Sequence, residues 1–379
     1  MDLNYSADLS VDCNNKTSLK RASFIRTIEN FPTFDGDLKS YGKPHIYYNF
    51  AQPCSVNYPC KKCYEEKAIV ENGHTFNFDL DSKVKCSLNI HPYGRDSVSK
   101  DYVSISLEFK ESSRLKITAL CKFSILDPDG KEEYKSIVGV EKFDSNKSSH
   151  FLQKFINRND LLRRESILLP NKKLTVRFEI FYLFDDVNAS GVSETTHIDE
   201  HLNVFLKDIK RMLDSQDFYD CIIKVGNSEI NVHKCILTTR SEVFRSTLKK
   251  KLTAFQSNTL EMSGFRLEVV KEMVNYLYTG RSPKIGEVAI EMLEITDKYK
   301  LEGLKMIATE SLLNGLNVEN VCEYLEKSEL YSAEILKEFC IRYIYLNAEE
   351  VVKGEKWRKI VNFYPLLLER IFNVTAGID

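Results

Sequence analysis

The sequence predicts a chain of two unlike halves: an antiparallel β-sandwich, then an α-rich unit built around a small sheet. Two observations carry this. Runs in the first half alternate apolar and polar residues with a period of two, the mark of strands with one buried face. Beyond about residue 199 the apolar spacing changes to i, i+3, i+4, i+7, the mark of amphipathic helices.

Val84, Cys86, Leu88 and Ile90 alternate with polar neighbours. Val103, Ile105, Leu107 and Phe109 do the same, as do Leu115, Ile117, Ala119, Cys121, Phe123 and Ile125. Leu174, Val176, Phe178, Ile180 and Tyr182 make a last clear strand. Asp127-Pro128-Asp129-Gly130 lies just after one such run and has turn chemistry, since Pro presets one dihedral and Gly accepts a positive one. Several strands of this kind stack as a sandwich.

Residues 185–200 are polar, include Gly191 and several Ser and Thr, and read as a linker. Phe205, Ile209 and Met212 then share one helical face. Short strands are expected at 220–225 and 228–232, around the turn Gly226-Asn227. Further stripes are Val269, Val270, Met273, Val274 and Leu277; Leu301, Leu304, Ala308 and Leu312; and Leu336, Phe339, Cys340 and Tyr343. Asn317 is suited to cap the helix that carries Val318, Val321, Cys322 and Leu325.

Composition narrows the function. The 379 residues carry 53 Lys+Arg against 55 Asp+Glu, a formal net charge of −2, so no global basic bias draws the chain to nucleic acid or an anionic membrane. Lys249-Lys250-Lys251 reads as a solvated basic run. No stretch approaches the roughly 20 apolar residues that span a bilayer, and the first ten residues hold no apolar signal core. The expected location is cytoplasmic, nuclear or both. Ten cysteines do not make a disulfide framework in a chain of this length; Cys121, Cys235 and Cys340 read as small buried hydrophobes.

Little points to chemistry. His197 and His201 are spaced i, i+4 but lack the Glu of a metalloprotease helix. Cys60 and Cys63 form a lone CxxC, with Cys54 before and Cys86 after; they make either free thiols on a polar insertion or a four-thiolate zinc site. No phosphate-binding glycine loop, GxSxG or kinase signature is present. The reading is a non-enzyme without a cofactor. Asp220 and His233, polar residues within apolar strands, are expected to hydrogen-bond as a buried pair.

Asp220, His233-Lys234, Arg240-Ser241, Phe244 and Tyr278-Thr279-Gly280 resemble, in order and spacing, a BTB/POZ domain. The likeness continues from Ala308 to about Trp357, like the short helical extension (three-box, or truncated BACK) that follows such domains. Residues 24–31, 99–104, 121–126 and 154–157 resemble a MATH (TRAF-like) domain. Together they point to the MATH-BTB class of speckle-type POZ proteins. The implied layout is a polar tail at 1–17, a MATH sandwich at 18–185, a linker at 186–199, a BTB/POZ domain at 200–315, a helical extension at 316–370 and a tail at 371–379.

The resemblance implies a substrate-recognition adaptor of a cullin-3-type ubiquitin ligase, in which the MATH domain captures a client peptide and the BTB domain dimerises and docks cullin-3. The helix bearing Phe205, Ile209, Met212 and Leu213 would cross the dimer two-fold. Leu248 and Leu252 would supply apolar contact to cullin-3. The family's hydrophobic-x-Glu reads Leu252-Thr253-Ala254 here, with Lys249 and Lys251 upstream, which reverses the local electrostatics. The family's aromatic client-groove positions fall on Ser106, Cys121, Glu141, His150 and Leu152, none aromatic, so a different client is expected. The long segment 36–73 is either a tolerated surface insertion or an added recognition loop. A homodimeric scaffold or competitor that does not recruit cullin is the alternative.

Overall fold

The computed structural model describes residues 19–32, 73–81, 84–96, 98–110, 116–144, 146–185, 196–215, 217–253 and 258–376. The chain divides into two compact units, Met1–Asn188 and Ala189–Asp379.

The first unit holds two four-stranded antiparallel sheets. One has β1 (Lys20–Ile28), β8 (Leu174–Asp185), β5 (Lys116–Leu126) and β6 (Glu132–Phe143), in that spatial order. The other has β2 (His74–Asp81), β3 (Val84–His91), β4 (Tyr102–Lys110) and β7 (Ser149–Asn157). Two short helices, α1 (Arg158–Arg163) and α2 (Glu165–Leu168), separate β7 from β8. The alternating residues named from the sequence line the space between the sheets, with Val84, Cys86, Ile90, Val103, Ile105, Phe123, Val176 and Phe178 all nearly inaccessible. Leu115 lies outside the described residues. Aromatic rings bridge the layers: Phe178 lies 5.1 Å from Phe123 and 6.2 Å from Phe24 and Phe78, measured between ring centres.

The turn at residues 127–130 forms as expected. Gly130 takes φ +82°, and the Asp127 carboxylate accepts from the Asp129 and Lys131 amides at 2.9 and 2.8 Å. Period two places Lys122 and Glu179 on the outer face of the first sheet, where they stand opposite each other and are nonetheless buried. Charge pairing permits this: Lys122 meets Glu132 at 2.7 Å, and Arg21 binds Glu179 at 2.5 Å.

The second unit opens with α3 (Thr196–Ser215). Strands β9 (Cys221–Val225) and β10 (Ser228–Val232) pair antiparallel, and β11 (Thr259–Glu261) joins β9 in parallel. Helices α4 (Lys234–Arg240), α5 (Glu242–Thr253), α6 (Leu267–Thr279), α7 (Ile285–Tyr299) and α8 (Glu302–Asn314) surround this sheet. Then follow α9 (Val321–Leu330), α10 (Glu334–Leu346), α11 (Ala348–Val351), α12 (Glu355–Phe363) and α13 (Pro365–Ala376). The expected stripes are core: Val269, Met273, Leu304, Leu312, Leu336, Phe339 and Cys340 are all buried.

Two local readings need correction, and one boundary moves. The regular helix after Asn317 starts at Val321, a turn later than expected, while Asn317 caps the turn that leads into it. The Asn317 side chain accepts from the Glu319 and Asn320 amides, while the Asn317 amide donates to Asn320. Cys235 is exposed, not buried, because it lies in the first turn of α4 on the side away from Leu237. Asp220 and His233 do not bond to each other: Asp220 is exposed and accepts from the Lys234 amide at 2.7 Å, capping α4.

Candidate protein-interaction surfaces

His233 shows how the second unit is locked. The Tyr278 hydroxyl accepts from the His233 backbone N–H at 2.8 Å and lies 2.8 Å from Nδ1. Its one proton is therefore free for Nδ1, which makes Nδ1 an acceptor and leaves the ring proton on Nε2. Nε2 then donates to the Asp217 carbonyl at 3.0 Å. Burial pushes the Tyr278 phenol up to about 12, so it stays protonated. The cluster ties the end of β10 to α6 and to the segment ahead of β9.

The α3 face differs. Phe205 is 58% exposed and Leu202 and Val204 are also exposed, while Ile209, Met212 and Leu213 are half-buried. The helix rests one side on α6 and presents an apolar strip on the other. Leu248, on α5, is buried in its own unit. Its side chain thus packs inward and offers no surface for a partner. The Leu252 side chain and Ala254 lie outside the described residues, as do Cys54, Cys60, Cys63 and the side chains of His197 and His201. Cys86 is fully buried between the sheets, and burial pushes its thiol up to about 12, far from a metal-binding thiolate. Among the described residues no group of three or more His, Cys, Asp or Glu side chains is placed to hold a metal ion. None of their helices is long and apolar enough to cross a membrane.

In the first unit, β6 and β7 are edge strands of different sheets and run beside each other, leaving a seam between the layers. Register assigns the side chains. His150 stands opposite Leu107 and Leu152 opposite Ile105, so both face inward; Glu141 stands opposite Ala119 on β5 and also faces inward. His150 Nδ1 is 3.7 Å from a Glu141 oxygen, and Lys147 pairs with the other oxygen. Burial holds the His150 imidazole below its ordinary value, with the Glu141 carboxylate pulling the other way. Cys121 is the buried floor, its thiol raised by burial. Four of the five groove residues expected from the sequence thus meet at one seam. Ser106 does not join them, because it stands opposite Phe151 on the outer face of β4 and β7 and accepts from the Asn89 amide group at 3.2 Å.

The free edge of β7 has a definite phase. The Phe109 amide donates to the Ser148 carbonyl at 2.9 Å, in the same register as the rest of the ladder. Residues 148, 150 and 152 therefore turn their backbone groups toward β4, and Ser149 and Phe151 turn theirs outward. Beyond them β7 bulges, since one residue of β4 faces residues 153–155. Ser104 donates to the Gln153 carbonyl at 2.5 Å and Tyr134, on β6, donates to the Phe155 carbonyl, pinning the bulge from both sheets.

Comparison with known proteins accords with both halves. Residues 61–180 match the MATH domain family, and residues 209–316 match the BTB/POZ domain family. The chain carries a MATH domain followed by a BTB/POZ domain. Among solved structures, it is similar to the BTB domain of zebrafish PATZ1 at 22% identity, over 33% of this chain and 98% of that one, with a TM-score of 0.25. The seam thus belongs to the MATH domain, while the α3 strip begins just ahead of the matched BTB/POZ segment and runs into it.

Sequence reasoning missed Phe151. Phe151 is offset by one residue from the aligned groove positions His150 and Leu152. The signal was available in the alternation itself, which places Phe151 between two inward residues.

Proposed function

We propose that the chain is a non-enzymatic adaptor, which captures a client segment on its MATH domain and self-associates and docks cullin-3 through its BTB domain. The observation that carries the reading is the pairing, on one chain, of an open strand edge at Ser149 and Phe151 with an exposed apolar helix at Phe205. A strand edge with unpaired amides binds an extended peptide by adding it to the sheet, with side-chain pockets supplying selectivity. An exposed apolar strip on a helix suits a two-fold contact with a second copy.

Self-association is expected to weaken about ten- to a hundredfold in Phe205→Ala, read by sedimentation-equilibrium or light-scattering titration of the full chain, because each of the two copies loses the transfer energy of the exposed part of a phenyl. A dimer of unchanged affinity would remove α3 from the interface.

The second reading, a homodimeric scaffold or competitor that does not recruit cullin, is favoured by Leu252-Thr253-Ala254 and the adjoining lysines. Ala254→Glu separates the two. Co-purification with cullin-3 is expected to rise several-fold in the variant if charge complementarity limits docking. Equal recovery of cullin-3 with both forms would show that the missing acid is not the limit. Recovery from neither would leave the scaffold reading.

A further inference from the structure

The outer side of β7 carries a second set of groups that the seam does not use. Phe151 is half-exposed there. The Arg95 guanidinium lies 5.7 Å from its ring centre, and the His91 ring meets it edge-on at 6.2 Å. Both come from the end of β3 and the turn after it. Asp96 of that turn is anchored: its carboxylate accepts from Ser99 and from the Val98 amide, and the Gln153 side chain of β7 donates to its other oxygen at 3.2 Å. The platform is therefore built before any partner arrives.

Backbone phase determines which partner residue reaches it. Phe151 turns its N–H and C=O to the free edge, so an added strand hydrogen-bonds to it directly. Side chains level with one another in paired strands lie on the same face. The partner residue level with Phe151 thus projects onto the outer platform, and its two neighbours project into the seam beside His150 and Leu152.

Charge alone does not select the occupant. Arg95 shares this face with Asp96 and, one ladder step along, Glu108, so both signs are present and neither a cation nor an anion is strongly favoured. An aromatic ring gains from both the Phe151 ring and the guanidinium. We infer that the client is an extended segment read by its outward residue as well as its seam residues, and that the outward residue, level with Phe151, is aromatic. This inference rests on the client-capture reading of the MATH domain. It assigns to Phe151 and Arg95 a selectivity for aromatic residues, beside whatever the seam residues select.

The test is to pan a phage-displayed random nonapeptide library on the full chain and on Phe151→Thr, which keeps a strand-favouring residue. Wild type should enrich an aromatic residue at one position and the variant should not. A synthetic enriched nonapeptide should bind Phe151→Thr about tenfold more weakly. The same peptide should bind Arg95→Ala, altered on an exposed turn, about threefold more weakly. It should slow hydrogen exchange at the Ser149 and Phe151 amides. Peptides that protect these amides but show no aromatic preference, or that bind both variants as tightly as wild type, would overturn the inference and leave client capture standing. A library from which neither protein enriches any peptide would overturn client capture, and the inference with it.

Discussion

Phe178→Ala is expected to destabilise the MATH unit by about 4 kcal/mol. Phe178 sits on a central strand, is 1% exposed, and stacks on Phe123 with ring planes only 14° apart. It also reaches Phe24 on β1 and Phe78 on β2, so one side chain contacts rings from both sheets. The loss combines transfer energy with a cavity, and the rings around it are held by strands that cannot collapse inward. Urea unfolding of the full chain, followed by exchange of strand amides, would measure it. A loss below about 1 kcal/mol would mean that the sheets repack, and that the aromatic cluster is not what holds them together.

Gly94→Ala is expected to cost about 3 kcal/mol in the same unit, for a reason unrelated to hydrophobic burial. Gly94 has φ +70°, where any side chain is strained, and a Cβ there would lie 2.1 Å from the Ser99 carbonyl oxygen. That oxygen belongs to the backbone and also accepts from the Tyr102 amide at the head of β4, so it has no room to retreat. Arg158 adds a second tether, donating to the Pro92 carbonyl at 2.6 Å and lying 4.0 Å over Tyr93. The substitution should therefore shift exchange in β4 and β7 as well as in the turn. Wild-type melting in Gly94→Ala would show that this turn bears no weight in the sandwich.

The fold was legible where one rule governed a whole element. β3, β4, β5 and β8 alternate cleanly because each is buried on its inner face along its full length. The helices of the second half read as clearly for the same reason. Legibility failed at the edges. Along β7 the inward residues are His150 and Leu152, then Phe155 and Ile156 together, because the bulge sets three residues of β7 against one of β4; a strict period-two reading therefore breaks in mid-strand. Along β6 a similar shift falls between the partners of Leu120 and Cys121, next to Gly139. The candidate site lies between these two irregular strands. Its members were found by likeness to a family, while the outer platform of Phe151, Arg95 and His91 needed the register. Burial of Leu248 was also hidden, since a single apolar residue in mid-helix among polar neighbours reads equally well as core or as contact.

The pinned kink in β7 has a further consequence for solubility. A long flat strand with bare amides invites other chains to stack on it and propagate into aggregates. Here the accessible stretch ends after Phe151, where Ser104 and Tyr134 hold the backbone out of line. Another copy of the sandwich, needing several consecutive pairs, finds too few along such an edge to polymerise.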